Sequence, residues 1–400
     1  MNIFYYDIAV PIPIRETFTY KSNEIINNGT RVAIKFRNKE VVGYVVKKLN
    51  QQPSFSTTEI SEVLDSEPIF KSSDLQIIAW LADYYHHPIG EVFDSFCPPS
   101  LRKAIKNEPL IIDNEISYKA NIEDQSFELN AEQLSCINKL ESLDGFDPCL
   151  LYGVTGSGKT EIYLQIAATY LAQNKSILIL VPEISLTPQL KERFINRFGE
   201  NIGIYHSKQT PKQRYEVWKS ARNGELKIVI GTRSAVLFPL QNLGLIIVDE
   251  EHDQSYKQHE GFRFSARDVS IKRAQVEKLP IILGSATPSL QTLKSVQDKK
   301  FKQINILKRA NGSQPPGFII LDINDSKLES GIAQESLDAI ENTLKRNKQV
   351  LIFINRRGFS PLYECNDCRW AAECKACDAR LVFHHDLDRL VCHRCDSAYG

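Results

Sequence analysis

Apolar and polar positions follow two different periods along the 400 residues of this chain. From residue 1 to about 50 the runs "IAVPI", "ETFTY", "TRVAIKF" and "VVGYVVKKL" are short and rich in β-branched and aromatic residues, and Pro, Asn and Gly separate them. That punctuation predicts a small, mainly-β domain. "SDLQIIAWLADYY", Ser73 to Tyr85, opens on a capping residue and spaces its apolar residues as a helix does. Residues 101–128 are polar and weakly patterned, which predicts a linker. From Leu129 apolar runs alternate with amphipathic ones: "CLLYG" and a helix from Lys159, "SILILV" and a helix from Thr187, then "KIVIG", "LGLIIV", a helix from Ala266 and "PIILG". Such alternation predicts a parallel sheet covered on both faces. Residues 295–315 read as a variable stretch. The pattern then restarts with "GFIIL", a helix around 333–346 and "QVLIFI", the beginning of a second α/β lobe. The expected class is therefore α/β, with domains at 1–100, 129–310 and 311–400 and a linker at 101–128.

Composition narrows the function classes. The longest apolar runs have about six residues, far below the ~18–20 of a membrane span. The start "MNIFYYDIAV" has no basic segment ahead of an apolar one, so it does not read as a signal peptide. A cytoplasmic protein with no membrane partner is expected. Lys and Arg number 49, and so do Asp and Glu, so a surface for nucleic acid has to be a local patch. Of nine cysteines, Cys97, Cys136 and Cys149 are scattered and read as buried small apolar residues. The other six form three CxxC pairs, Cys365-Cys368, Cys374-Cys377 and Cys392-Cys395, a pattern that points to metal in a reducing compartment. Tetrahedral Zn²⁺ takes four thiolates, so six are one pair short of two sites, and spacing leaves the pairing open. His384, His385 and His393 read as surface histidines.

"GVTGSGKT" supplies the chemistry. Gly153, Val154, Thr155, Gly156, Ser157, Gly158, Lys159 and Thr160 match G-x-x-x-x-G-K-[ST] between a strand and a helix. Glycines there let backbone N–H groups fold around phosphate, and the helix N-terminus adds positive potential. Lys159 is expected to reach the β- and γ-phosphates of ATP, and the Thr160 hydroxyl to ligate Mg²⁺. About ninety residues later "LGLIIV" runs into Asp249-Glu250-Glu251-His252. A carboxylate at a strand end is what a P-loop ATPase needs for Mg²⁺, so Asp249 takes that role and Glu250 that of general base. "LNAEQ" places Gln133 to read an adenine edge. "VPEISLTPQ", "IGTRSAVLFP" and "GSATPS" each follow a strand, where loops gather at one sheet edge. After the acidic run, Tyr256, Lys257, Phe262, Arg263, Phe264 and Arg267 interleave aromatics with cations, the composition of a single-strand contact.

The P-loop, "DEEH", "SATPS" and "NRRG" (Asn355–Gly358), in this order, resemble a superfamily 2 helicase. "VPEISLTPQ", "IGTRSA", "DEEHDQSYKQ" with "ARD", and "NRRG" running into CxxC pairs resemble the primosomal protein N′ (PriA) family over most of residues 129–400; "VPIPIRETFTY" and "YYHHPIGEVF" resemble its 3′-end DNA-binding domain. The resemblance implies two RecA-like lobes, the second carrying a zinc-ribbon-like insertion. The implied activity is an ATP-dependent 3′–5′ DNA helicase that restarts replication at stalled or branched forks. DNA contacts are implied at Phe18, Arg233, Arg356 and Arg357, and protein partners among single-stranded DNA-binding protein and primosome components. It also assigns the last two cysteine pairs to one Zn²⁺ and the first pair to a second Zn²⁺. Three features depart from the family: Thr19 and Arg37 replace its 3′-pocket residues, no room exists for a winged helix before Leu129, and the second lobe's arginine motif does not occur by Gly400, so the sequence reads as truncated. The alternatives are a non-catalytic fork-DNA-binding fragment and another superfamily 2 translocase. DNA-stimulated ATP turnover separates the first from the helicase, and zinc pairs after "NRRG" count against the second.

Overall fold

The computed structural model describes residues 3–104, 129–182, 188–199, 202–314, 316–323, 328–329, 331–353, 363, 365, 368, 370–377, 379–384 and 388–400. Residues 1–315 form one compact unit and 316–400 another.

The N-terminal strands are Phe4–Ala9 (β1), Phe18–Ser22 (β2), Arg31–Phe36 (β3), Lys39–Leu49 (β4), Thr58–Glu59 (β5) and Glu62–Val63 (β6). They form one sheet in the order β5-β2-β1-β4-β3-β6. Side chains alternate between its faces, as a period of two requires. Tyr6, Ile8, Val32 and Ile34 fill one core. Ala9, Ala33 and Tyr44 enter the other, together with Ile77, Ile78 and Leu81 of α1 (Ser72–Tyr84) and Val92 and Phe93 of α2 (Ile89–Phe96). The sequence pattern predicted α1 but not α2, which has only eight residues. Gly90 lets α2 cross β1 at contact distance, because a Cβ there would fall 1.8 Å from Val10 O. The linker expectation fails at its first residues. Leu101 is buried in a 3₁₀ turn, Pro99–Arg102, and its carbonyl accepts from Arg31 Nη1 at 2.7 Å. Arg31, itself fully buried, pairs with Asp65 at 2.7 Å. Residues 105–128 of the predicted linker lie outside the described residues, as does the segment where a winged helix would stand.

The α/β lobe is a seven-stranded sheet of Pro148–Gly153 (β7), Ser176–Leu180 (β8), Ile202–Tyr205 (β9), Ile228–Gly231 (β10), Leu243–Val248 (β11), Ile281–Ser285 (β12) and Lys302–Ile306 (β13). Its order is β13-β7-β12-β11-β8-β10-β9, and every ladder is parallel. Ile177, Ile179, Leu245 and Ile247 pack on one face with α3 (Ala131–Glu141), α4 (Lys159–Ala172) and α5 (Pro188–Phe198). Leu178, Leu180, Ile246 and Val248 face the opposite core, which Trp218 of α6 (Pro211–Arg222) and Val269 of α7 (Ala266–Glu277) share with the N-terminal domain. Trp218 Nε1 donates to Phe96 O at 3.1 Å and Arg222 Nη2 to Pro68 O at 2.8 Å across that junction. β13 falls within the stretch expected to be variable. "KQINI" is an edge strand that buries only Ile304 and Ile306, so it carries no continuous apolar run. α8 (Leu290–Gln297) precedes it.

In the second unit, Leu328–Glu329 (β14) pairs with Ile332–Ala333 (β15), and α9 (Gln334–Lys345) follows. "GFIIL" and the described part of "QVLIFI" do not form the expected strands. They run without a ladder, with Phe318, Ile320 and Leu351 at 86%, 95% and 94% exposure. A strand needs a neighbour to take its N–H and C=O groups, and among the described residues no strand lies beside them. A three-stranded sheet of Val382–His384 (β16), Arg389–Val391 (β17) and Ala398–Tyr399 (β18) ends the chain. Among the described residues no helix is long and apolar enough to cross a membrane.

Candidate nucleotide and metal sites

β7 delivers the chain into the glycine-rich loop, and α4 begins at Lys159. Gly156 and Gly158 have φ of +79° and +87°, the left-handed region that glycine enters without a Cβ clash. A Cβ on Gly158 would also lie 2.4 Å from Gln133 Nε2. Lys159 Nζ donates to Gly153 O at 3.0 Å and lies 3.5 Å from Glu250 Oε1. The buried Ser157 hydroxyl has no hydrogen-bond partner among the described residues. A loop of this curvature, with an internally compensated lysine and a spare hydroxyl, fits a phosphate chain.

Gln133 also has a structural role. Asn130 Oδ1 accepts from Gln133 N at 2.9 Å, and Gln133 Oε1 accepts from Asn130 N at 3.0 Å, closing a capping box at the start of α3. Its Nε2 donates to Ser157 O at 2.9 Å. The amide therefore props the glycine-rich loop with one N–H and one lone pair, leaving a second donor and a second lone pair.

Asp249 follows β11, two strands from β7 in the sheet, at the same carboxyl edge. Tyr163 Oη donates to Asp249 Oδ1 at 2.8 Å. Tyr163 lies four residues after Lys159, one turn along α4, so the helix that carries Lys159 and Thr160 also holds the carboxylate. Burial pushes the Asp249 carboxyl above the usual carboxylate range, and the Tyr163 bond opposes that. Glu250 has φ +42°, a conformation costing a non-glycine residue about 1–2 kcal/mol; such strain clusters at functional positions. Its second oxygen lies 3.7 Å from His252 Nδ1.

Glu251 is buried and holds "SATPS". Its carboxylate accepts from Ser289 N at 2.6 Å, Ser289 Oγ at 3.0 Å, Thr292 Oγ1 at 2.9 Å and Arg267 Nη1 at 3.2 Å. His252 Nδ1 lies 2.8 Å from Ser285 Oγ, and Nε2 lies 3.3 Å from Thr287 Oγ1. "DEEH" and "SATPS" are thus joined by side chains.

The aromatic–basic stretch does not stand open as expected. Tyr256 and Phe264 are 2% and 5% exposed. Tyr256 Oη donates to Asp249 O at 2.6 Å, so the ring is drawn under the acidic run instead of outward. Phe262 is half-buried, 5.0 Å from the Phe264 ring and 4.8 Å from the His87 ring. Arg267 is held by Glu251, Ser289 and Asp268. Arg233 Nη1 donates to Ser255 O at 3.2 Å and Lys257 O at 3.0 Å, which ties "GTRS" to this loop. Lys257 and Arg263 are exposed. In the N-terminal domain Phe18 and Phe36 meet edge-to-face at 5.0 Å. Of the two departing residues, Thr19 Oγ1 donates to Asp7 Oδ1 and the Arg37 guanidinium lies 5.7 Å from the Phe36 ring centroid. Arg356 and Arg357 lie outside the described residues.

In the second unit Cys374, Cys377, Cys392 and Cys395 bring their sulfurs within 4.8 Å of one another. Sulfur separations include 3.6 Å for Cys374–Cys395 and 3.4 Å for Cys377–Cys392. A tetrahedron with Zn–S of ~2.3 Å has edges of ~3.8 Å, so the set fits Zn²⁺. Ala376 N and Arg394 N each point at the sulfur two residues earlier, at 3.4 Å, as donors that favour thiolate. The Tyr399 hydroxyl at 3.2 Å brings the Cys374 thiol down to about 6. Cys365 and Cys368 stand outside this cluster.

Residues 7–98 match a 3′ DNA-binding domain of PriA, residues 130–296 a DEAD/DEAH box helicase, and residues 374–398 the Cys-rich region of PriA DNA helicase. A replication restart protein PriA from Haemophilus influenzae is 32% identical over 99% of this chain and 64% of the relative. The chain belongs to the PriA family. PriA of Rickettsia felis is 35% identical over 93% of this chain and 56% of its own length, and PriA of Bacillus subtilis 40% over 62% and 31%. The chain therefore spans less than two thirds of these PriA relatives. The Cys-rich match begins at Cys374, in keeping with the assignment of the last two pairs to one site.

Two participants escaped sequence reasoning, Tyr163 and Tyr85, whose hydroxyl accepts from Ser265 N at 3.1 Å; Glu251 was read as part of the acidic motif without a role of its own. The i, i+4 spacing of Lys159 and Tyr163 was the available signal for the first. No sequence signal links Tyr85 to Ser265, which are 180 residues apart.

Proposed function

We propose that this chain is the DNA-binding and nucleotide-binding part of an ATP-dependent 3′–5′ DNA helicase that acts at stalled or branched replication forks to restart replication. One observation carries the reading: Lys159, Asp249 and Glu250 converge at the carboxyl ends of β7 and β11, with Glu250 3.5 Å from Lys159. The names of the PriA relatives support the restart role.

ATP with Mg²⁺ supplies the phosphoryl group and the divalent charge. Backbone N–H groups from Gly153 to Thr160 cradle the phosphates, and the freed Lys159 neutralises charge on the transferred group. Thr160 and Asp249 hold Mg²⁺. Once Lys159 turns to phosphate, Glu250 loses its ion pair and is available to take a proton from water. Glu251 and His252 fix the "SATPS" segment beside this event. Phe18, Lys257, Phe262 and Arg263 contact branched or single-stranded DNA. Zn²⁺ at Cys374, Cys377, Cys392 and Cys395 organises the ribbon, and a second Zn²⁺ takes Cys365 and Cys368. Single-stranded DNA-binding protein and primosome components are the protein partners, in the cytoplasm.

We also infer that the winged helix is absent. The match to the H. influenzae relative spans 468 aligned positions against a chain of 400, leaving at least 68 without a counterpart. That number is enough for a small domain of 50 or more residues. The R. felis match spans 374 positions and 93% of the chain, with almost no such excess.

The test is binding of a fluorescent ATP analogue with Mg²⁺ to this chain, and DNA-stimulated hydrolysis by the chain continued to the relatives' length. Lys159→Ala should abolish both while single-stranded DNA binding persists. Turnover at the parent rate in Lys159→Ala would end the motor assignment.

A further inference from the structure

The glycine-rich loop has two different flanks in the sheet. β12 and β11 lie on one side of β7, and their ends carry Ser285 and Asp249. β13 lies on the other side. Lys159 and Glu250, 3.5 Å apart, mark the flank where the transferred phosphate sits. A triphosphate held with its γ end toward Asp249 sends its ribose and base out beside β13.

Two segments build that second flank. α3 begins there: Gln133 Nε2 donates to Ser157 O, and the amide keeps a second donor and a second lone pair. The chain leaving β13 runs beside it. Leu307 N and Lys308 N donate to the Glu132 carboxylate at 3.2 and 3.0 Å, and Ala310 N donates to Gly156 O at 2.8 Å. Arg309 stands between these anchors. A Cβ on Gly156 would lie 4.0 Å from Arg309 Cγ, so the stem of this half-buried side chain runs along the outside of the loop. The Glu132 carboxylate is taken by main-chain N–H groups. Arg309 Nη1 donates to Ser313 Oγ at 3.4 Å, too long to hold a guanidinium firmly.

We infer that Arg309 is a specificity-determining residue of the nucleotide site, its guanidinium stacking on the base of bound ATP. An edge contact from Gln133 leaves both faces of the base in water. A guanidinium is planar and weakly hydrated, so it covers an aromatic face well. The attraction strengthens as the pair is desolvated, and the flank between α3 and residues 307–310 is where a base leaves solvent. The inference deepens the nucleotide-binding part of the proposed function and rests on it.

The experiment displaces the fluorescent ATP analogue from the intact chain, with Mg²⁺, using two competitors. One is ATP; the other is inorganic tripolyphosphate, which has neither ribose nor base. Arg309→Ala should weaken ATP about 5-fold and leave tripolyphosphate as in the parent. Arg309→Gln, which keeps the stem along the loop, should give the same split. Thermal melts without nucleotide should match the parent, because the main-chain bonds of Val154 and Ala310 remain. Parent-like ATP affinity in both variants, or an equal loss for the two competitors, would overturn the assignment; the equal loss would put the cation on the phosphates or on the shape of the loop. If the parent binds neither competitor, the nucleotide reading itself fails. If it binds both and the variants match it, only the role of Arg309 fails.

Discussion

The Tyr256 hydroxyl donates a 2.6 Å hydrogen bond to the main-chain carbonyl of Asp249. A loop with the composition of a strand contact is thereby fastened to the residue expected to hold Mg²⁺. Tyr256→Phe removes that bond and keeps the buried ring. The expected cost is about 1 kcal/mol of stability, with nucleotide affinity nearly unchanged and DNA stimulation of hydrolysis reduced. Undiminished stimulation in the folded variant would mean that the loop does not signal through this bond. Tyr256→Ala or Phe264→Ala is unsuited to the question, since emptying a buried aromatic site costs about 3–5 kcal/mol.

Tyr163 and pH are coupled through Asp249. Burial raises the Asp249 carboxyl above its usual range, and Tyr163 counters the rise. The charged form is the costly one, so without metal this group adds stability below the ordinary carboxylate range, and that stability is lost as pH rises through the raised value. Mg²⁺ needs the charged form. Affinity for the Mg²⁺–nucleotide pair should therefore fall as pH drops through the raised Asp249 value. In Tyr163→Phe the fall should begin at higher pH. Superimposable pH profiles for parent and variant, measured by titration of the fluorescent analogue, would remove Tyr163 from the site.

Zinc should be integral to the second unit. Among the described residues its cysteine cluster buries only Ala372, Cys374, Leu381 and Cys392, with Leu390 and Tyr399 packed against them, a small apolar core of the kind that metal commonly supports. Elemental analysis should find about one tightly bound Zn²⁺ per chain from a four-thiolate site. Cys392→Ser should release it, and a strong chelator should expose residues 370–400 to protease while β1 to β13 stay protected. Zinc retained in Cys392→Ser would mean that the ligand set is different.

Arg267 separates a structural role from a DNA role. Its guanidinium supports the buried Glu251 carboxylate. Arg267→Ala should cost about 2 kcal/mol, as loss of a charged hydrogen bond does, and lower the melting temperature without DNA. A variant that melts like the parent but loses DNA affinity would return Arg267 to the strand contact that its place in the sequence suggests.

Where the sequence was legible, a short-range rule was at work. Eight consecutive residues made the phosphate loop readable, CxxC spacing made the zinc ribbon readable, and continuous apolar runs revealed β7, β8, β10, β11 and β12. The edge strand β13 was not readable, because only one of its faces is buried. Nor were the inward turns of Tyr256, Phe264 and Arg267. Residue type says that an aromatic can stack on a base, but whether it does depends on partners such as Asp249 O and Glu251 that the fold brings close. The bond from Gln133 to the carbonyl of Ser157 was hidden for the same reason.

β13 has a mechanical consequence. It runs beside the phosphate-loop strand, Val154 N donates to Ile306 O at 3.1 Å, and a few residues later Ala310 N donates to Gly156 O at 2.8 Å. The chain thus leaves the α/β lobe stitched to both sides of the glycine-rich turn, like a thread drawn through the edge of a buttonhole. Tension applied beyond Ala310 meets Gly156 first, then Glu132 of α3 through Lys308 N and Leu307 N, then Val154, and a phosphate that reshapes the turn changes the anchorage of the departing chain.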